Sequence, residues 1–134
     1  MKNSYSNIFP YNEKILNKTV KLLNKGNIVS LPTETVYGLA GNAYSKKAIE
    51  KIFKQKGRPK FNPLIIHYHN IHHALNDIVI NNNFKKLYKK LCPGPITFIL
   101  RKKKNSKIHP LANAKLKTVA VRFPKHKAIR SILN

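Results

Sequence analysis

The stretch KQKGRPKFNPLIIHYH, residues 54–69, most narrows what this chain can become. Gly57 halts a helix, and Pro59 forbids its return, because proline lacks an amide hydrogen and clashes with the preceding turn. Upstream, Ser45 is placed to cap a helix in which Ala48, Ile49, Ile52 and Phe53 recur at helical spacing. Downstream, Pro63 opens an apolar strand from Leu64 to Tyr68. A helix, a stiff break and an apolar strand in direct succession require helices and strands to share a core.

The remaining punctuation extends that pattern. Asn12 caps a helix with Ile15, Leu16, Thr19, Val20 and Leu23 on one stripe, and Gly26 stops it. Asn27 to Leu31 reads as a short buried strand closed by Pro32. A mixed helical region covers about Ile71 to Leu91, broken between Asp77 and Asn83. Cys92-Pro93-Gly94-Pro95 is a turn, Ile96 to Arg101 a strand, Arg101 to Asn113 a solvated loop and Thr118 to Arg122 a strand. A last helix begins at Pro124 or Lys125 and reaches Asn134 without cap or polar tail, as if cut. The expectation is a single α/β domain over residues 1–134.

Charge bears on partners rather than fold. The chain carries 27 Lys and Arg against 4 acids, a formal +23. Such a field attracts RNA, nucleotides or anionic lipid. Lysine supplies the excess, and asparagine and isoleucine are abundant too, so drift of surface positions toward a restricted codon set explains the charge equally well. Cys92 is the only cysteine, which excludes an intramolecular disulfide. The start, MKNSYSNIFPYNEK, has no apolar core of a secretory signal, and no apolar run approaches a membrane span. A reducing cytoplasm and no membrane are expected.

Three stretches carry chemistry. In SLPTETVYGLAGNA, residues 30–43, Thr33, Glu34, Thr35 and Tyr37 follow a strand, where hydroxyls and backbone N–H groups bind small polar ligands. A Pro-Thr turn with a capping threonine accounts for the same residues. In the opening stretch, Gly57 and Pro59 pre-order Arg58, whose planar fork suits phosphate oxygens, and Lys56 adds a point charge. Cations closing a helix against its dipole are the plainer reading. Strand alternation puts Ile65 and His67 on one face, with His67 at the strand's carboxyl end. His69, His72 and His73 have no acidic or thiol companion, so no metal is expected there. In KTVAVRFP, residues 117–124, Thr118, Ala120 and Arg122 share a strand face, either a polar pocket wall or a solvated edge.

Their order and spacing separate these alternatives. PTETVYGLA, then KGRPxxxPLIxH, then CPGPIT, then TVAVRxP, over about Asn27 to Lys125, resembles the YrdC/Sua5 family of L-threonylcarbamoyladenylate synthases. The resemblance implies a twisted, mixed α/β sheet with helices and a basic concave cavity. It implies a nucleotidyltransferase that joins L-threonine, bicarbonate and ATP into threonylcarbamoyl-AMP, with Mg²⁺ on the phosphates and pyrophosphate released. The product would serve modification of the adenosine next to the anticodon, which brings tRNA and tRNA-modification proteins in as partners. Residue by residue, Thr35, His67 and Arg122 match threonine-binding positions. Arg58, Asn62 and Thr118 match ATP-contacting positions, and Lys56 the lysine of the KxR element, with Lys56 and Arg58 as the catalytic cations. The family's SxN element, beyond the last helix, does not occur before Asn134, so the expectation is a partial domain that is incomplete at its C-terminus. A non-catalytic RNA-binding module, or an inactive remnant, stands as the alternative. The carbamoyl-transfer domain of hydrogenase-maturation proteins ranks last, for want of zinc-finger cysteines.

Overall fold

A computed structural model describes residues 7–134; the first six residues of the stretch read for a leader lie outside it. Helix α1 (Glu13–Asn24) starts where Asn12 accepts from the Ile15 amide, at 2.9 Å, and ends before Gly26 at φ +73°. Its apolar stripe is only half-buried, and no α1 residue joins the core.

Strand β1 (Val29–Pro32) turns back on β2 (Tyr37–Ala40) in an antiparallel hairpin, with Val29 opposite Ala40 and Pro32 opposite Tyr37. This corrects two expectations. Only Leu31 of β1 is buried, and the segment after Thr35 is a strand rather than an open loop. Pro32 is tolerated because a two-stranded hairpin is all edge.

Helix α2 (Lys46–Lys56) follows, capped by Ser45 and ended by Gly57 in the left-handed region at φ +56°. It buries Ala48, Ile49, Ile52 and Phe53, the residues its periodicity singles out. Next come β3 (Ile65–His67), α3 (Ile71–Ala74), α4 (Asn82–Leu91), β4 (Thr97–Arg101), β5 (Thr118–Arg122) and α5 (Lys127–Leu133). His126 caps α5, its Nδ1 accepting from the Ala128 amide.

The second sheet is mixed, in the order β3-β5-β4. β5 runs parallel to β3, with Ile65 opposite Ala120 and His67 opposite Arg122. It runs antiparallel to β4, with Thr97 opposite Arg122 and Arg101 opposite Thr118. Alternation then sorts the sheet. Ile66, Leu100, Val119 and Val121 turn into a core shared with Ile49, Phe53, Phe84 and Phe123. Ile65, His67, Thr97, Ile99, Thr118, Ala120 and Arg122 line the opposite face, which is open enough to leave Ile99 66% exposed.

The lysine-rich stretch from 101 to 113 is no solvated loop. Ile108, Ala112 and Asn113 are buried, and Asn113 Nδ2 donates to the carbonyls of Leu116 and Thr118. Asp77 fastens the same loop from below. Its Oδ1 accepts from the Ser106 hydroxyl at 2.7 Å, and Oδ2 from Tyr44 at 2.6 Å and Tyr68 at 2.8 Å. Burial alone would raise its pKa, but these three donors and the Lys107 amide hold the carboxyl below its ordinary value. The carboxylate is thus a charged rivet joining α2's approach, β3 and the loop.

Candidate functional site

The open face carries two polar groups at its two ends. At the carboxyl ends of β3 and β5 lies Arg122. Its Nε and Nη2 donate to Thr97 Oγ1 at 3.1 and 2.9 Å, and Nη1 reaches Thr35 Oγ1 at 3.5 Å. A guanidinium has five N–H donors, so hydrogens on Nη1 and Nη2 stay free to grip a planar anion end-on. Thr97, within the CPGPIT motif, has no role assigned by the sequence pattern. Its part follows from the β4–β5 register, which no local pattern reveals.

Thr35 belongs to the loop between β1 and β2. Thr33 organises that loop: its hydroxyl donates to the Val36 carbonyl at 2.8 Å, and the Thr35 and Val36 amides donate to Thr33 Oγ1 at 3.2 Å. Glu34, between them, reaches across to the start of α5. Its Oε2 accepts from the amides of Lys125, at 3.0 Å, and His126, at 3.2 Å. Burial works against the charge, but these backbone donors, its own amide and the nearby Arg122 guanidinium hold the carboxyl below its ordinary value.

His67 lies opposite Arg122. Its Nδ1 is 3.1 Å from the Ile65 carbonyl, which makes Nδ1 the donor and leaves a lone pair on Nε2. Burial, with the Arg122 charge, lowers its pKa, although the Ile65 carbonyl and Glu34 pull the other way. The imidazole is therefore neutral near pH 7. His69 faces elsewhere, with Nε2 at 3.2 Å from Arg130 Nη2 and the Arg130 Nη1 on its carbonyl.

The second group sits at the amino-terminal end of the same face. The Arg58 amide donates to the Phe53 carbonyl, closing α2 over Gly57, and the side chain folds back on its own loop. Arg58 Nε donates to the Asn62 carbonyl at 3.3 Å, and Nη2 to that of Pro63 at 2.9 Å. Pro63 lies two residues before β3, which pairs with β5 from Ala120 onward, while Thr118 at the start of β5 pairs with Arg101 of β4. Arg58 and Asn62 thus lie just before the start of β3, and Thr118 at the start of β5. Four residues of strand, about 13 Å, separate Thr118 from Arg122 at the other end. Lys56 is exposed and forms no ion pair among the described residues. Thr35, His67 and Arg122 come together; Lys56, Arg58, Asn62 and Thr118 do not touch them.

Burial pushes the thiol of half-buried Cys92, after α4, up to about 11, away from the thiolate form that a nucleophile needs.

A mixed sheet thus offers a forked cation at its strand carboxyl ends and a second basic group some way off, an arrangement able to meet anionic ligands. The Sua5/YciO/YrdC family model, described as "Telomere recombination", matches residues 21–134. A threonylcarbamoyl-AMP synthase of Bacillus subtilis is 40% identical over 117 residues, covering 86% of this chain and 33% of that protein. One from Pyrococcus abyssi is 42% identical over 107 residues, covering 78% and 30%. The crystal structure of the Pyrococcus abyssi Sua5 complexed with L-threonine superposes with a TM-score of 0.86 at 34% identity, covering 92% of this chain and 36% of that one. Escherichia coli YciO shares the fold, with a TM-score of 0.81 at 24% identity over 92% of this chain and 60% of that one. The chain belongs to the Sua5/YciO/YrdC family. It spans about a third of the length of the Bacillus and Pyrococcus relatives.

Proposed function

We propose that the chain is the substrate-gathering part of a threonylcarbamoyl-AMP synthase, a nucleotidyltransferase acting on L-threonine, bicarbonate and ATP. The observation that carries this is the Arg122 fork, preset by Thr97 and Thr35 beside a neutral His67. The amino acid's carboxylate takes the two free guanidinium edges, and its hydroxyl meets Thr35 or His67. The triphosphate lies toward Arg58, Asn62, Thr118 and Lys56. As the threonine carbamate attacks the α-phosphate, charge accumulates on the phosphoryl oxygens, and Lys56 and Arg58 stabilise it with little reorganisation. Such chemistry needs positioning more than a protein nucleophile.

Magnesium enters with the nucleotide. Glu34 Oε2 is taken by two amides, and no group of three or more His, Cys, Asp or Glu among the described residues is arranged around an ion. The donor set does not fit a resident metal, so the ion belongs to ATP. The product passes to tRNA and the proteins that modify it next to the anticodon, in the cytoplasm. The names of the relatives favour this enzyme over an RNA-binding module without catalysis.

The test is pyrophosphate release by the purified chain, with threonine and bicarbonate omitted in turn. Release should require both. Arg122→Lys, which keeps the charge but loses the fork, should raise the KM for threonine by roughly 10–100-fold. Release that ignores threonine would sink the reading.

A further inference from the structure

A third basic group lies just past the carboxyl end of β3, against α5. His69, Lys125, Lys127, Arg130, Ser131 and Asn134 line a cavity of about 380 Å³. No acidic side chain is among them, and neither lysine nor Arg130 forms an ion pair among the described residues. This group is separate from that of Arg122, which bonds Thr97 and Thr35, whereas Arg130 bonds His69 and Pro124.

Arg130 is fixed in place by its own protein. Its Nη1 donates to the carbonyls of His69, at 3.1 Å, and Pro124, at 3.2 Å, and Nη2 donates to His69 Nε2 at 3.2 Å. These bonds use both Nη1 hydrogens and one on Nη2. The Nε hydrogen and the second Nη2 hydrogen have no partner among the described residues, so a guanidinium of set position still offers two donors. His69 adds to the excess. Partial burial, with the charges of Arg130 and His73, lowers its pKa, so the ring is neutral near pH 7 and has one lone pair. Arg130 can only donate, so Nε2 accepts and Nδ1 carries the hydrogen. That hydrogen faces Asn70 Nδ2, another donor, 3.2 Å away, because the Asn70 oxygen accepts from the His73 amide at 3.2 Å. Ser131 is already engaged: its hydroxyl donates to the Lys127 carbonyl at 3.0 Å and accepts from Tyr11 at 2.9 Å. The cavity is rich in donors and positive charge, and poor in acceptors.

We propose that this cavity binds a phosphate group bearing two negative charges, as the free ion or as the terminal monoester of a small molecule. Arg130 takes two of its oxygens, and the exposed Lys125 and Lys127 close on the others. A carboxylate brings two oxygens and one charge. A phosphodiester likewise has two unesterified oxygens and one charge, so either leaves the lysines unanswered. The site is made of side chains, since the Lys125 and His126 amides are held by Glu34 Oε2. It does not depend on the reaction proposed above and needs neither threonine nor ATP.

NMR titration of the chain, following the Arg130 Nε–H and His69 ring signals, tests this. The probes are inorganic phosphate, dimethyl phosphate and acetate, at an ionic strength held constant with chloride. Phosphate should move both signals saturably and bind about 10-fold or more tighter than the other two. No saturable shift, or equal affinity for all three, would overturn the proposal. Arg130→Gln should weaken phosphate binding by roughly 10–100-fold, read at His69. Because Arg130 also braces His69 and Pro124, the double variant Lys125→Ala, Lys127→Ala decides the matter if that protein unfolds. It should weaken binding by roughly 10-fold, and an unchanged affinity would refute the site. Arg58→Gln should leave the His69 shift as it is; its loss would move the phosphate to the other basic group and overturn the proposal. AMP separates the two sources: tighter binding than phosphate identifies a nucleotide monoester, weaker binding the free ion, and both support the site.

Discussion

Replacing Asp77 by asparagine should cost this protein more than any single change on its surface. The carboxylate takes three hydroxyl hydrogen bonds of 2.6 to 2.8 Å and is 1% exposed. A hydrogen bond to a charged group contributes about 1 kcal/mol more than a neutral one, so three give about 3 kcal/mol. Asparagine fills the same space but supplies one acceptor oxygen, and its amide hydrogens confront hydroxyls that must turn round. For a chain of this length, a loss of about 3 kcal/mol corresponds to a fall in Tm of roughly 10 °C. The pH dependence is more telling than the size. Asp77 has a folded pKa below its unfolded one, so its contribution is complete above the unfolded value and is lost as pH falls through the folded value. The amide of the Asp77→Asn variant does not titrate. Urea melts of both proteins should therefore show a gap of about 3 kcal/mol at neutral pH that narrows as the pH falls below the ordinary carboxylate range. Burial, with the hydrogen bond to Asp77, raises the Tyr44 hydroxyl to about 12, so wild type should also weaken as the pH rises from about 10 toward that value. A gap below about 1 kcal/mol at neutral pH, or one that stays constant into acid, would refute the charged rivet.

Two further outcomes are expected. At Gly94, whose amide donates to the Phe123 carbonyl at 2.9 Å, an added Cβ would lie 2.6 Å from the Leu91 carbonyl oxygen. Gly94→Ala should cost about 1–3 kcal/mol, and a urea midpoint equal to wild type would contradict that crowding. Cys92, with its thiol near 11, should react with iodoacetamide far more slowly at neutral pH than after unfolding in urea; equal rates would contradict the burial.

Much of the architecture is written locally. Asn12, Ser45 and Gly57 mark helix ends because a cap needs only its own turn, and β5 shows its alternation in five residues. Strand β2 has no such signature. Tyr37-Gly38-Leu39-Ala40 contains a glycine and an alanine, and pairing with β1 makes it a strand. The lysines of the 101–113 segment read as solvated because a side chain's charge says nothing about its neighbours' burial. Ser106, beside Ile108, is tied to Asp77 far back in the chain, and Asn113 reaches forward to the carbonyls of Leu116 and Thr118. The site divides in the same way. The family resemblance of the four motifs points to Thr35, His67 and Arg122, while alternation places His67 and Arg122 on one face. Thr97 and Glu34 depend on strand register and on the β5–α5 junction, which a linear pattern does not encode.

The pairing of His67 with Arg122 carries a consequence for kinetics. These neighbours across β3 and β5 are far apart in the chain, with α3, α4, β4 and the long lysine-bearing loop between them. Bringing them together requires the entropy of closing that large loop, so the His67–Arg122 pair forms only once the mixed sheet is in register. An amino acid bound there would act as a late-fitted keystone, leaving the rate of assembly nearly untouched and slowing the rate at which the finished sheet comes apart.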